Sequence, residues 1–279
     1  MSYTELISQI RVMHQQERSA AYRLSDYIKG HQCHLASDRE ALCDWGYQTI
    51  AACNGVSRST AVVAISYFDR FLGTSTTAAQ LALTDPYDFQ LAFVTCLVIA
   101  LKVHSGFHVE TDFVSDVICK NMYPTQEIIY MELQVLQALE WKLNGPTPHD
   151  FIDYYLEVVP SIGTAHRKFL IRFSKALVEL ALPKYSLALH HPSELAFVSI
   201  CCAMQCAEFD ATDRLSVIQL ISSLHHDNRE LGALFPSMMR LMHECLHEPR
   251  IQHVTTSQAE GEEGSILSEQ SLVSVTHNK

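Results

Sequence analysis

Apolar positions recur every three or four residues along most of this chain, and the runs between breakers are too long and too Leu/Ala-rich for strands. Leu6, Ile7, Ile10 and Met13 form one stripe, which predicts an amphipathic helix from Thr4 to Lys29, closed by Gly30. Ser37 and Glu40 stand at capping-box spacing and predict a helix through Leu42, Cys43, Trp45 and Ile50, ended by Asn54 and Gly55. A further helix is expected from Ser59 to Leu72, with Val62, Ile65, Phe68 and Leu72 inward and Gly73 beyond it. Asp85 and Pro86 then cap a run that is apolar all round to Lys102, the pattern of a central buried helix. Two more helices are expected, from Val109 to Cys119 and from Thr125 through Met131, Leu136 and Leu139, before the turn Asn144-Gly145-Pro146.

The plan then repeats. Helices are expected near Pro148 to Val158, Ala165 to Leu182, Pro192 to Glu208, Ala211 to Leu224 and Asn228 to His247, the third again nearly all apolar. The predicted class is all-α, with two tandem five-helix units and an N-terminal accessory helix. The expected divisions are an N-terminal helix and linker over 1–34, units over 35–146 and 147–248, and a tail over 249–279. The tail is Ser/Thr/Glu-rich and lacks Phe, Trp and Tyr, which predicts disorder.

Composition narrows the function classes. A formal charge of −11 with no Lys/Arg run argues against direct nucleic-acid binding and offers no basic import signal. The longest apolar run, Leu91 to Leu101, reads as too short for a bilayer, and Met1 to Gln16 is neither signal peptide nor anchor, so no membrane role is expected. Nine cysteines without a CxxC pair fit reduced thiols and a nuclear and cytoplasmic location. The histidine pairs His104/His108, His190/His191 and His225/His226 lack the spacing of structural zinc ligands, so no metal is expected. No glycine-rich phosphate loop or kinase catalytic motif is present, so no cofactor or nucleotide is expected.

Four segments in order resemble the cyclin family. Asp38-Arg39-Glu40-Ala41-Leu42-Cys43-Asp44-Trp45 resembles the start of a cyclin box, and Tyr67-Phe68-Asp69-Arg70-Phe71-Leu72 its second helix. Cys96 to Lys102 resembles the third helix; Met131-Glu132 with Leu136, Leu139, Trp141 and Leu143 to Pro148 resembles the fifth and its exit. Leu180 to Leu182, Tyr185 and Pro192-Ser193 continue the likeness into the second unit, and the overall character is nearest divergent algal, diatom-type members.

The resemblance implies two tandem cyclin folds and a non-catalytic subunit that binds and activates a cyclin-dependent protein kinase in cell-cycle control. Arg39 and Asp69 would form a buried ion pair, an arrangement that specifies geometry more than it stabilises. Lys102 and Glu132 would hydrogen-bond to the kinase at about 1.5–3 kcal/mol each, flanked by apolar contacts from Val103, Leu136, Trp141 and Leu143. Kinase substrates are a further class of partner. Many members dock them on a patch whose positions here read Asp38, Ala41, Leu42 and Trp45, only the last two large and apolar, which sets this patch apart from the family pattern. Val103, His104 and Ser105 stand where acidic residues are frequent, and no Leu-x-Cys-x-Glu motif of many G1 members is present.

Two rivals are weaker. Cys53 to Arg58 resembles the phosphate loop of dual-specificity phosphatases, but four residues instead of five separate cysteine and arginine, and Ala52 replaces the preceding histidine. A cyclin-fold transcription-factor scaffold would share the architecture, and the negative charge argues against it.

Overall fold

The structure, a computed structural model, describes residues 1–29, 34–104, 114, 116, 119–160, 162–206, 209–224 and 231–245. Among them every regular element is helical. In the first half these are α1 (Tyr3–Arg18), α2 (Leu35–Ala52), α3 (Ser59–Leu72), α4 (Thr77–Ala82), α5 (Pro86–His104) and α6 (Thr125–Ala138). The second half has α7 (Pro148–Val158), α8 (Thr164–Ala181), α9 (Tyr185–Ala188), α10 (Pro192–Cys206), α11 (Ala211–Leu224) and α12 (Leu231–Cys245). The expected helix from Val109 to Cys119, the start of the last helix and the tail fall mostly or wholly outside the described residues.

The first half is organised around α5, whose residues from Leu91 to Leu101 are all buried, with α3 and α6 packed against it. Asp85 Oδ1 accepts a hydrogen bond from the Tyr87 amide at 2.8 Å, and Pro86 opens the first turn, where no amide hydrogen is needed. The Phe68 ring meets Phe89 at 5.0 Å and Phe93 at 5.1 Å, both edge-on. A Cβ at Gly46 would come within 2.9 Å of Phe93, so a glycine lets α2 lie close to α5. The expectation that the apolar run is too short to cross a bilayer needs revising: α5 has 19 residues, long and apolar enough by length and composition. About two thirds of it is buried in the protein, so its hydrophobicity is explained by core packing.

The second half repeats this around α10, buried almost throughout from Ser193 to Met204 and flanked by α7, α8 and α12. Thr147 and Asp150 form a capping box at α7. The N-terminal α1 packs on α7, burying Leu6, Ile10 and Met13. From the same stripe, Glu17 accepts from the Ser193 hydroxyl at 2.7 Å and its amide at 3.0 Å, so α1 caps the start of α10.

Three local expectations are corrected. The first helix ends at Arg18, not Lys29, because beyond Ser19 the chain finds partners outside any helix. Ala21 O accepts from Arg70, Ser25 Oγ donates to Gly73 O and Tyr27 Oη donates to Asp69, and these tertiary bonds override helix propensity. α2 begins at Leu35 with no side-chain cap; Ser37 donates back to His34 O at 2.7 Å, so the capping box is not formed. α4 and α9, of six and four residues, are too short to produce a periodic signal.

Candidate functional site

Packing of α6 on α5 determines which of its residues face solvent. Ile128, Met131 and Val135 turn inward, so Ile129, Glu132, Leu133 and Leu136, spaced i, i+3, i+4 and i+7, share the outer face. Lys102 lies in the last turn of α5, where its charge complements the helix dipole. Its Nζ reaches both carboxylate oxygens of Glu132 at 2.8 Å. An exposed pair of this kind adds at most about 1 kcal/mol to stability, so its value lies in holding two charges at a fixed place.

Apolar side chains are exposed on the same two helices and in the turn that follows α6. Val103 is 45% exposed and Trp141 63%, while Leu136 and Leu143 are half-buried. Ile129 at 50% and Tyr130 at 66%, which the sequence did not single out, and Leu133 at 44%, which it gave only as one of the apolar residues of this helix, are also exposed on α6. The i, i+3, i+4 spacing of Ile129, Glu132 and Leu133 was the available signal; Tyr130, two residues from Glu132, lies to the side of that face. Several large apolar side chains exposed on one helix and the turn after it point to an interaction site.

Arg39 and Asp69 are joined in a two-pronged ion pair: Nε to Oδ1 at 2.7 Å and Nη2 to Oδ2 at 2.6 Å, with Arg39 fully buried. Tyr27 Oη also donates to Oδ1 at 2.8 Å, and Arg39 Nη1 donates to Leu182 O and Pro183 O at 2.8 and 2.9 Å. The pair thus links the N-terminal segment, α2, α3 and the second unit.

Leu42 lines a groove of about 130 Å³ with Leu35, Ala41, Leu83 and Phe89, rimmed by Asp38 and Asp85. Trp45 is not part of its wall; its ring packs edge-on to Phe93 at 6.2 Å. The Cys53 segment is a helix stop. Cys53 caps α2, burial raises its thiol pKa, and Arg58 bonds Glu179 at 2.7 Å. Nothing here stabilises a thiolate, and Cys53→Ser is expected to shift the urea midpoint by no more than about 0.5 kcal/mol equivalent and to leave protein-partner capture unchanged.

Among the described residues no three His, Cys, Asp or Glu side chains converge as metal ligands. His104 Nε2 is 3.1 Å from Tyr67 Oη, and His190 lies 3.6 Å from Glu194; His108, His225 and His226 fall outside the described residues.

Residues 8–144 match the family described as cyclin, N-terminal domain, and residues 146–259 that described as cyclin, C-terminal domain. Cyclin-D1-1 of Arabidopsis thaliana is 31% identical over 184 residues, 63% of this chain and 51% of the relative. Cyclin-D3-1 of the same plant is 30% identical over 154 residues, covering 53% and 38%. The G1/S-specific cyclin-D1 of Danio rerio is 26% identical over 211 residues, covering 74% and 69%. The match therefore spans about half or less of the two plant relatives. Among solved structures, a viral cyclin from herpesvirus saimiri superposes with a TM-score of 0.62 at 13% identity, over 86% of this chain and 97% of that one. A chain of the Chaetomium thermophilum CAK complex bound to ATP-gamma-S gives 0.51 at 15% identity, over 92% and 82%.

Proposed function

Because this chain belongs to the cyclin family, we propose that it is the regulatory subunit of a cyclin-dependent protein kinase, itself without catalytic groups, acting in cell-cycle control. The observation that carries this reading is the Lys102–Glu132 pair at 2.8 Å within the apolar face of Val103, Leu136, Trp141 and Leu143. The D-type names of its relatives and the kinase complex among its structural neighbours support the same direction.

Activation is a population shift. The chain binds the active arrangement of the kinase's regulatory helix and activation loop better than the inactive one, and the differential affinity sets the gain. Lys102 and Glu132 hold each other in place before binding and retain hydrogen-bonding capacity for the kinase, so little side-chain entropy is lost on docking. ATP and the phosphoryl-transfer groups belong to the kinase. Nuclear and cytoplasmic location follows if the chain enters the nucleus with its partner.

The test is capture from cell extract by wild-type chain and by Lys102→Ala/Glu132→Ala, with kinase activity and identity read in the bound fraction. Active kinase is expected with wild type, and at least about tenfold less with the folded double variant. A wild-type chain that captures no kinase overturns the activator reading and leaves the transcription-factor scaffold as the alternative.

A further inference from the structure

The turn that carries Trp141 is unusual in its backbone. Glu140 and Trp141 have φ of 51° and 58°, two successive side-chain-bearing residues in the left-handed region that disfavours a Cβ. Two amides help close the turn locally, Trp141 to Leu136 O at 2.9 Å and Lys142 to Leu139 O at 3.0 Å. A turn of this kind persists only where its surroundings over-determine it.

Those surroundings are two buried residues one helical turn apart on α3. Arg70 Nη2 donates to Lys142 O at 2.8 Å, and Tyr67 Oη donates to Leu143 O at 2.9 Å. Each also ties in another segment. Tyr67 Oη lies 3.1 Å from Nε2 of His104, two residues past Lys102, and Arg70 Nε donates to Ala21 O at 3.1 Å beneath the Tyr22 ring, 4.8 Å from its guanidinium. Tyr22 in turn lies against Gly145, where a Cβ would meet its ring at 2.6 Å. Arg70 is 7% exposed, and its bonds go to two backbone carbonyls, those of Ala21 and Lys142, from segments far apart in the sequence. A buried guanidinium used in this way costs desolvation, and what it provides is a fixed geometry.

We propose that Tyr67 and Arg70 are positioning residues that hold the turn presenting Trp141, and that the N-terminal segment at Ala21 and Tyr22 controls that turn through Arg70. The inference deepens the kinase reading, on which its functional meaning rests: residues 21–22, which do not belong to the proposed interface, would tune it. Loss of the N-terminal contact would loosen the turn and speed dissociation of the kinase.

Amide hydrogen exchange of the full chain tests this without any kinase present. Tyr67→Phe removes one hydroxyl, Arg70→Lys keeps the charge but loses the two-direction geometry, and Tyr22→Ala removes the ring over the guanidinium. In each, the Trp141 and Lys142 amides are expected to exchange about five- to tenfold faster, while the α10 core amides from Leu195 to Met204 keep their rates. Unchanged exchange at Trp141 and Lys142 in Tyr67→Phe and Tyr22→Ala overturns the proposal, and so does an equal acceleration in α10, which would make the effect one of global stability. Kinase capture is scored separately: faster exchange with unaltered capture upholds the positioning role and removes Trp141 from the kinase interface.

Discussion

Arg39→Ala is expected to lower the unfolding free energy by roughly 3–5 kcal/mol, the usual cost of removing one partner of a buried pair, which for a protein stable by about 5–15 kcal/mol is enough to populate unfolded chain. The substitution leaves Asp69 buried with, among the described residues, the Tyr27 hydroxyl as its remaining side-chain donor, and it strips Leu182 O and Pro183 O of the guanidinium that ties the second unit to the first. Urea unfolding at neutral pH provides the measurement, with the change read from the midpoint at constant slope. An apolar replacement of both charges, Arg39→Met with Asp69→Leu, should recover part of the loss because no lone charge remains. Recovery should stay incomplete, since Tyr27 and the two carbonyls would still lack partners. A loss below about 1 kcal/mol for Arg39→Ala would mean that water replaces the guanidinium, and the pair would not be what fixes the units together.

Which parts of this arrangement were legible in the sequence follows from what each depends on. α3, α7 and α11 occupy the residues expected, because a 3.6-residue apolar period runs between clear breakers such as Gly73 and Pro148. The end of α1 was not legible. Residues 19–29 have no strong breaker, and their course is decided by Arg70, Gly73 and Asp69, some fifty residues away in sequence. The Arg39–Asp69 pairing came from resemblance to a family, not from spacing, since nothing in the composition of α2 and α3 says which charges will meet; the resemblance gave Lys102 and Glu132 as contacts to a kinase, and their bond to each other was not foreseen. The carbonyl acceptors of Arg39 and Arg70 were invisible for a further reason: backbone groups carry no sequence signal. Ile129 and Leu133 are the opposite case, since their spacing from Glu132 on one helix made them available to the same periodic reading.

Acid should loosen the contact between the two units through His149, and this is the second large effect expected. The ring is 2% exposed, and its pKa is held down to about 3, chiefly by burial and then by the nearby positive charge of Lys175, with Arg58 adding to it. Its Nδ1 lies 3.0 Å from Ser59 Oγ at the start of α3, while Glu179 on α8, 4.0 Å from Nε2, is already bonded to Arg58. Folded protein therefore keeps the ring neutral where the unfolded chain, with an ordinary pKa of about 6.5, takes up a proton. Above pH 6.5 both states are neutral and the term vanishes; as pH falls from 6.5 toward 3, stability is lost at about 1.4 kcal/mol per unit, or roughly 3 kcal/mol by pH 4.5. Carboxylates contribute to any acid titration, so the discriminating measurement is the difference between wild type and His149→Gln in urea midpoints at pH 7.5, 5.5 and 4.5. The variant should be less stable at pH 7.5, having lost a fitted ring, and should show a shallower decline, with the two curves converging as pH falls. Parallel curves would assign the acid sensitivity to other groups. Convergence would place it at the junction of α3, α7 and α8, where a neutral imidazole is part of how the first unit meets the second.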